Sequence, residues 1–146
     1  MLYDILSKKI DCENNKTLFK ILEKINEKYI LNGGLTLVLY YKSIYRIHND
    51  IDLYIQESDI NYWKNFSKNI DLDFKHYYKN HYAGFYKNKK IIDYTIFETL
   101  DLANTETIKF NNLNYNIKNL EITKKDKLER FNDTDKKDLK YYYDIN

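Results

Sequence analysis

Residues 33 to 55, GGLTLVLYYKSIYRIHNDIDLYI, constrain this chain more than any other stretch. Gly33 and Gly34 close the apolar run Tyr29 to Leu31 and open a largely apolar segment, Leu35 to Tyr45, that suits a buried helix. Ile51, Leu53 and Ile55 then alternate with Asp50, Asp52 and Tyr54, the period of a half-buried strand, which puts both carboxylates on one face. The expected order is strand, glycine turn, helix, strand.

That order has a chemical meaning. Glycine lets backbone N–H groups approach an anion, and the first turn of the helix that follows adds unpaired donors at a positive dipole end. A polyphosphate suits such a turn. Two carboxylates two residues apart on a strand can share Mg²⁺ or Mn²⁺, hard cations that prefer oxygen ligands and complete their shells with water and phosphate. His48 precedes them at strand spacing, placed either to join a His-Asp-Asp metal site or to position substrate.

The spacing of the glycine pair, eleven residues and then R-x-H-x-D-I-D resembles the signature of the small lincosamide and aminoglycoside adenylyltransferases, within the wider nucleotidyltransferase superfamily. The matching positions are Gly33, Gly34, Arg46, His48, Asp50, Ile51 and Asp52. Toxin-type nucleotidyltransferases of the abortive-infection class are similar too, usually with Ser where this chain has His48. The resemblance implies a DNA polymerase β-like nucleotidyltransferase fold of the α+β class: a mixed sheet with helices packed on one face and C-terminal helices. It implies nucleotide binding by Gly33, Gly34, Arg46 and His48. Asp50, Asp52 and a third carboxylate on a later strand would be the catalytic and metal-binding set. Asp93, set in the apolar, β-branched run KKIIDYTIFE, is the downstream aspartate that fits, whereas Asp71, Asp73 and Asp101 flank elements.

The activity implied is Mg²⁺-dependent transfer of a nucleoside monophosphate from a nucleoside triphosphate to a hydroxyl of a small, antibiotic-like molecule. A toxin-like enzyme acting on RNA or protein is the alternative, and a binding module on a decayed catalytic fold is a third reading. Some positions depart from the pattern. The antibiotic enzymes tend to carry Trp after the glycine pair and an acidic residue three further on, where this chain has Leu35 and Val38. Gly34 replaces a common Ser, so Thr36 or Ser43 would have to supply its hydroxyl. Near the C-terminus Asp135, Asp138 and Leu139 match a D-x-x-D-[IL] helix motif of the related groups, although such aspartates also serve as ordinary helix-starting residues.

Composition bounds the partners. At 146 residues and 17.9 kDa the chain reads as one minimal domain, 1–146, with no room for a separate acceptor domain, so a homodimer is an expected partner, while the toxin-type resemblance implies a cognate antitoxin instead. With 24 basic and 22 acidic residues it lacks the basic excess of a dedicated nucleic-acid binder. Its 16 tyrosines and the lysine clusters 87–90 and 124–127 still leave RNA open as an acceptor, although such groups commonly form half-buried positions and solvated faces. The lone Cys12 excludes an internal disulfide and a cysteine zinc site. No apolar run is long enough for a membrane span or signal peptide, so no membrane partner and a cytoplasmic location are expected.

Helical spacing predicts helices over Lys16 to Lys28 and over Asp59 to Lys68, the latter capped by Asp59, with Tyr62, Trp63 and Phe66 on one side. Strands are expected where Phe74, His76 and Tyr78 alternate, then at Tyr82 to Tyr86 and Ile91 to Phe97. A small hairpin, Thr107 to Phe110 with Tyr115 to Ile117, would turn at Asn111 to Asn114. Helices at Lys124 to Phe131 and Asp135 to Tyr143 would finish the chain. His76 and His81 match nothing and read as surface or strand residues.

Overall fold

The structure is a computed structural model describing residues 1–110 and 112–145. In chain order the elements are β1 (Ser7–Lys8), α1 (Glu13–Glu23), β2 (Ile30–Asn32), α2 (Gly34–Tyr41), β3 (Ser43–Ile44), β4 (Ile51–Gln56), α3 (Ile60–Asn69), β5 (Asp73–Tyr78), β6 (His81–Tyr86), β7 (Lys89–Phe97), β8 (Thr105–Phe110), β9 (Leu113–Lys118), α4 (Leu120–Arg130) and α5 (Asp133–Tyr143). Seven strands form a mixed, mostly antiparallel sheet in the order β5-β6-β7-β4-β2-β9-β8. The parallel pairs are β4 with β7 and β2 with β9. β1 and β3 make a separate parallel pair.

The core lies on one face of the large sheet. Ile51, Leu53 and Ile55 of β4 alternate inward with Ile92 and Tyr94 of β7, and meet Leu18, Phe19 and Leu22 of α1, Leu35, Leu37 and Val38 of α2, and Trp63 and Phe66 of α3. That alternation turns Asp52, Tyr54 and Gln56 to the opposite face, where α4 and α5 wall a groove. The α+β class, the mixed sheet and the C-terminal helices agree with the sequence reading.

Several boundaries moved, each for a local reason. α1 runs from residue 13 to 23 instead of 16 to 28, and the Asn26 N–H donates to the Tyr62 hydroxyl instead of continuing the helix ladder. α2 stops at Tyr41 because Lys42 takes a left-handed conformation, φ +58°, after which Ser43 and Ile44 pair with β1. Asp59 precedes α3 but makes no side-chain cap. α4 starts four residues early because the Asn119 side chain accepts the N–H groups of Glu121 and Ile122. α5 starts at Asp133, since Asn132 caps it and Asp135 completes a capping box. The β8–β9 hairpin is part of the main sheet through β2, and Asn111 of its expected turn lies outside the described residues. The strand expected at Phe74, His76 and Tyr78 carries a register shift between His76 and Tyr78.

Candidate active site

Register brings the aspartates together. β4 and β7 run parallel with Asp52 opposite Asp93, so the two carboxylates share the outward face of adjacent strands, and Asp50 sits one residue before β4. Burial, and then the charges of Asp50 and Asp93, push Asp52 up to about 7. Burial and Asp93 likewise raise Asp50, although Lys90 opposes them.

Lys90 is the cation that this cluster holds. Its Nζ donates to Asp93 Oδ2 at 3.0 Å and lies 3.5 Å from Asp50 Oδ2. Burial acts to lower the ammonium, but the hydrogen bond to Asp93 and the charges of Asp93 and Asp50 outweigh it and hold the group protonated. Three carboxylates short of positive charge could hold a hard divalent cation, whose place the Lys90 ammonium would then fill. Among the described residues no three His, Cys, Asp or Glu side chains are clustered to hold a metal as they stand.

Asp93 has further partners. The Tyr77 hydroxyl donates to its Oδ2 at 2.7 Å, and His81 Nδ1 lies 3.4 Å from Oδ1. The irregularity in β5 lies between His76 and Tyr78, at Tyr77; re-aiming a side chain in this way is a common use of β-bulges next to functional sites.

The glycine pair is explained by close packing. Gly33 has φ +75°, and a Cβ there would lie 2.5 Å from Asp52 Oδ2. At Gly34 a Cβ would lie 2.3 Å from an Arg46 nitrogen and 3.1 Å from the His48 ring. Glycine therefore lets Asp52, Arg46 and His48 press against the start of α2.

A groove of about 330 Å³ runs from this turn across Asp50, Asp52 and Tyr54 to Lys118, Lys127 and Arg130. Its cations are all paired. Arg46 Nε and NH2 donate to the two oxygens of Asp138 at 2.8 and 3.0 Å, and Lys127 Nζ donates to Asp138 at 2.9 Å. Arg130 grips Asp135 through two bonds, and Lys118 meets Asp126 at 2.6 Å. Arg130, more than half exposed, is the cation at the open side that an anion could draw away, whereas Lys118 is largely buried.

Neither a protein-family model nor a curated protein sequence matches the chain. In structure it is similar to a Thermotoga maritima protein named a "putative nucleotidyltransferase", with a TM-score of 0.55 over 89% of this chain and 90% of that one, at 11% identity. The chain has the nucleotidyltransferase fold. At that identity the likeness extends to the fold alone, and every residue role rests on this chain's own geometry.

On this nucleotidyltransferase fold, Asp50, Asp52 and Asp93 lie at one site, and Gly33, Gly34, Arg46 and His48 line or border the same groove. Arg46 is committed to Asp138. His48 lies in the loop before β4 and not on the strand; it is buried, its Nε2 has no partner among the described residues, and burial followed by the Arg46 charge lowers it to about 3. Thr36 and Ser43 cannot supply the missing hydroxyl, because they bond to the Leu31 carbonyl and the Tyr141 hydroxyl. Leu35 and Val38 are buried in the core instead of facing a substrate. The paired C-terminal aspartates divide: Asp135 completes the capping box of α5 and holds Arg130, while Asp138 is a buried anchor for Arg46 and Lys127.

Sequence reasoning missed Tyr77, His81, Lys90, Lys127 and Arg130. Lys90 and Lys127 lie inside lysine clusters that read as solvated faces or as phosphate contacts for RNA, and His81 reads as a surface or strand residue. The position of Lys90 three residues before Asp93 was the one signal available for it.

Proposed function

We propose that this chain is a nucleotidyltransferase, with residues 1–146 as one minimal domain, that moves a nucleoside monophosphate from a nucleoside triphosphate to a hydroxyl and releases pyrophosphate. The observation that carries this reading is the register of Asp52 with Asp93, which gathers three carboxylates on the open sheet face beside a glycine turn.

Asp50, Asp52 and Asp93 would hold Mg²⁺ or Mn²⁺, which when bound neutralises charge on the reacting phosphate and the departing oxygens. Lys90 must then leave the gap between Asp50 and Asp93. Arg130, at the open side of the groove, would turn to the β- and γ-phosphates. The acceptor oxygen would bond to the α-phosphorus as the bridging bond to pyrophosphate breaks, its proton passing to Asp93. Tyr77 and His81 would orient that carboxylate.

The acceptor is read first as a small-molecule hydroxyl. RNA is the second reading, favoured by the exposed Tyr77 on Asp93 and by the exposed Tyr78 and Tyr86 of the same sheet edge, with Lys79 and Lys87 over the latter two rings. A decayed binding module is disfavoured by the intact carboxylate set. The test is incubation with Mg²⁺ and each α-phosphate-labelled nucleoside triphosphate, together with aminoglycosides, lincosamides, small RNAs and cell extract. Label should move to one acceptor class, and Asp93→Asn should slow transfer about 10²- to 10⁴-fold while nucleotide binding persists. Transfer unaffected by Asp93→Asn would remove its proposed role.

A further inference from the structure

A second cavity, of about 250 Å³, adjoins the groove and shares Tyr54 and Lys118 with it. The two differ in chemistry. The groove is lined by carboxylates and cations, whereas the second cavity is bounded by Ile30, Tyr54, Phe97, Leu100 and Ile122. Ile30 and Leu100 are buried apart from the main core, so they form a separate apolar floor on the site face of the sheet. Phe97 stands over it, substantially exposed, 4.9 Å from the Tyr54 ring centroid and tilted by 60°. An exposed phenylalanine over a prebuilt apolar floor is costly to leave uncovered in water.

The sheet sets the distance between the two cavities. Along β4 and β7 the outward pairs are Asp52 with Asp93, Tyr54 with Thr95, and Gln56 with Phe97. Two residues of strand separate Asp52 from Tyr54, a rise of about 7 Å, enough for a pentose between a phosphate at the carboxylates and a ring system in the second cavity. Lys118 fixes the boundary, since its Nζ donates to the Tyr54 hydroxyl at 3.1 Å and lies 5.3 Å from that ring. Asp101 and Asn104 at the rim present polar groups to the edge of a heteroaromatic ring.

We infer that the second cavity is the nucleobase site of the triphosphate donor, with Tyr54 and Phe97 as its aromatic walls. The inference rests on the nucleotidyltransferase reading of the groove and names the part of the donor that the groove leaves unbound. The base enters with its flat face against Phe97 and Tyr54 and its edge toward Asp101 and Asn104. The phosphates lie across Asp50 and Asp52 toward the glycine turn.

The test compares binding of nucleoside triphosphates and of inorganic tripolyphosphate, each with Mg²⁺, by calorimetry. Wild-type protein, Phe97→Ala, Ile122→Trp and Asp52→Asn are measured; the first two variants act oppositely, one removing a wall and the other filling the cavity. The expected result is that nucleoside triphosphate binding weakens about ten-fold or more in both cavity variants, the size of a lost base stack, while tripolyphosphate binding is unchanged. Equal wild-type affinity for tripolyphosphate and the nucleotides would overturn the inference, as would equal weakening of both ligands. Nucleotide binding that survives both cavity changes but is lost in Asp52→Asn would overturn the base site and leave the phosphate groove standing. Binding of neither ligand to wild type would remove both. A cavity that instead takes the acceptor would raise the acceptor KM in Phe97→Ala without touching nucleotide affinity, and that also overturns the inference.

Discussion

Replacing Asp138 by Asn tests the least visible part of the site. The Asp138 side chain is fully buried and accepts four hydrogen bonds: Arg46 Nε at 2.8 Å and the Tyr45 hydroxyl at 2.5 Å on one oxygen, Arg46 NH2 at 3.0 Å and Lys127 Nζ at 2.9 Å on the other. The change to Asn keeps the volume but removes the charge, and it turns an NH₂ group toward donors. Lys127, almost fully buried, would keep Asp135, at 3.6 Å, as its one charged partner among the described residues. Breaking a buried ion pair on one side costs about 3–5 kcal/mol, a large share of the roughly 5–15 kcal/mol that holds a domain together. At about 2–4 °C per kcal/mol for a chain near this size, the melting temperature should fall by roughly 10 °C. Urea unfolding at pH 7 measures the cost directly. The pH dependence gives a second check. Although burial alone would raise it, Arg46 and Lys127 hold Asp138 down at about 2. Its contribution should therefore be complete above the unfolded value near 4 and fade as pH falls toward 2. A cost under about 1 kcal/mol at pH 7, the size of an exposed ion pair, would refute the reasoning.

Other predictions concern single groups. Lys90→Met should raise Mn²⁺ affinity about five-fold, the lower end of what one nearby charge is worth once the 35% exposure of Lys90 is allowed for; an electron paramagnetic resonance titration showing equal or weaker binding would contradict its role as stand-in cation. His48 is held neutral to about pH 3, against an unfolded value near 6.5, so its burial stabilises fully above that value and progressively less as pH falls through the window between them. Wild type should thus lose stability more steeply than His48→Gln between pH 6.5 and 5, and parallel urea midpoints would refute this. Gly33→Ala forces a side chain into φ +75° and against Asp52, and should cost at least about 1–3 kcal/mol in a thermal melt; an unchanged melt would show that the turn is not strained.

Much of the frame was legible along the chain. The period-2 alternation around Asp50 and Asp52 is a local property, and the β4 strand follows it. The glycine pair and the apolar run after it placed the turn and the start of α2, although packing against Asp52, Arg46 and His48 accounts for both glycines. Asp93 stood out because an aspartate inside an apolar strand needs a reason to be there. Its pairing with Asp52 is different in kind. Register between β4 and β7 joins segments some forty residues apart, and a slip of one residue would have turned Asp93 to the other face. The same holds for Lys90, which looks like any member of a lysine run until Asp50 is folded next to it. Asp138 looks like a helix-starting residue until α5 packs it onto Arg46 and Lys127. Patterns of side-chain burial repeat within a few residues and can be read locally, whereas the pairing of charges is set by distances that exist only once the sheet has closed and the helices have docked.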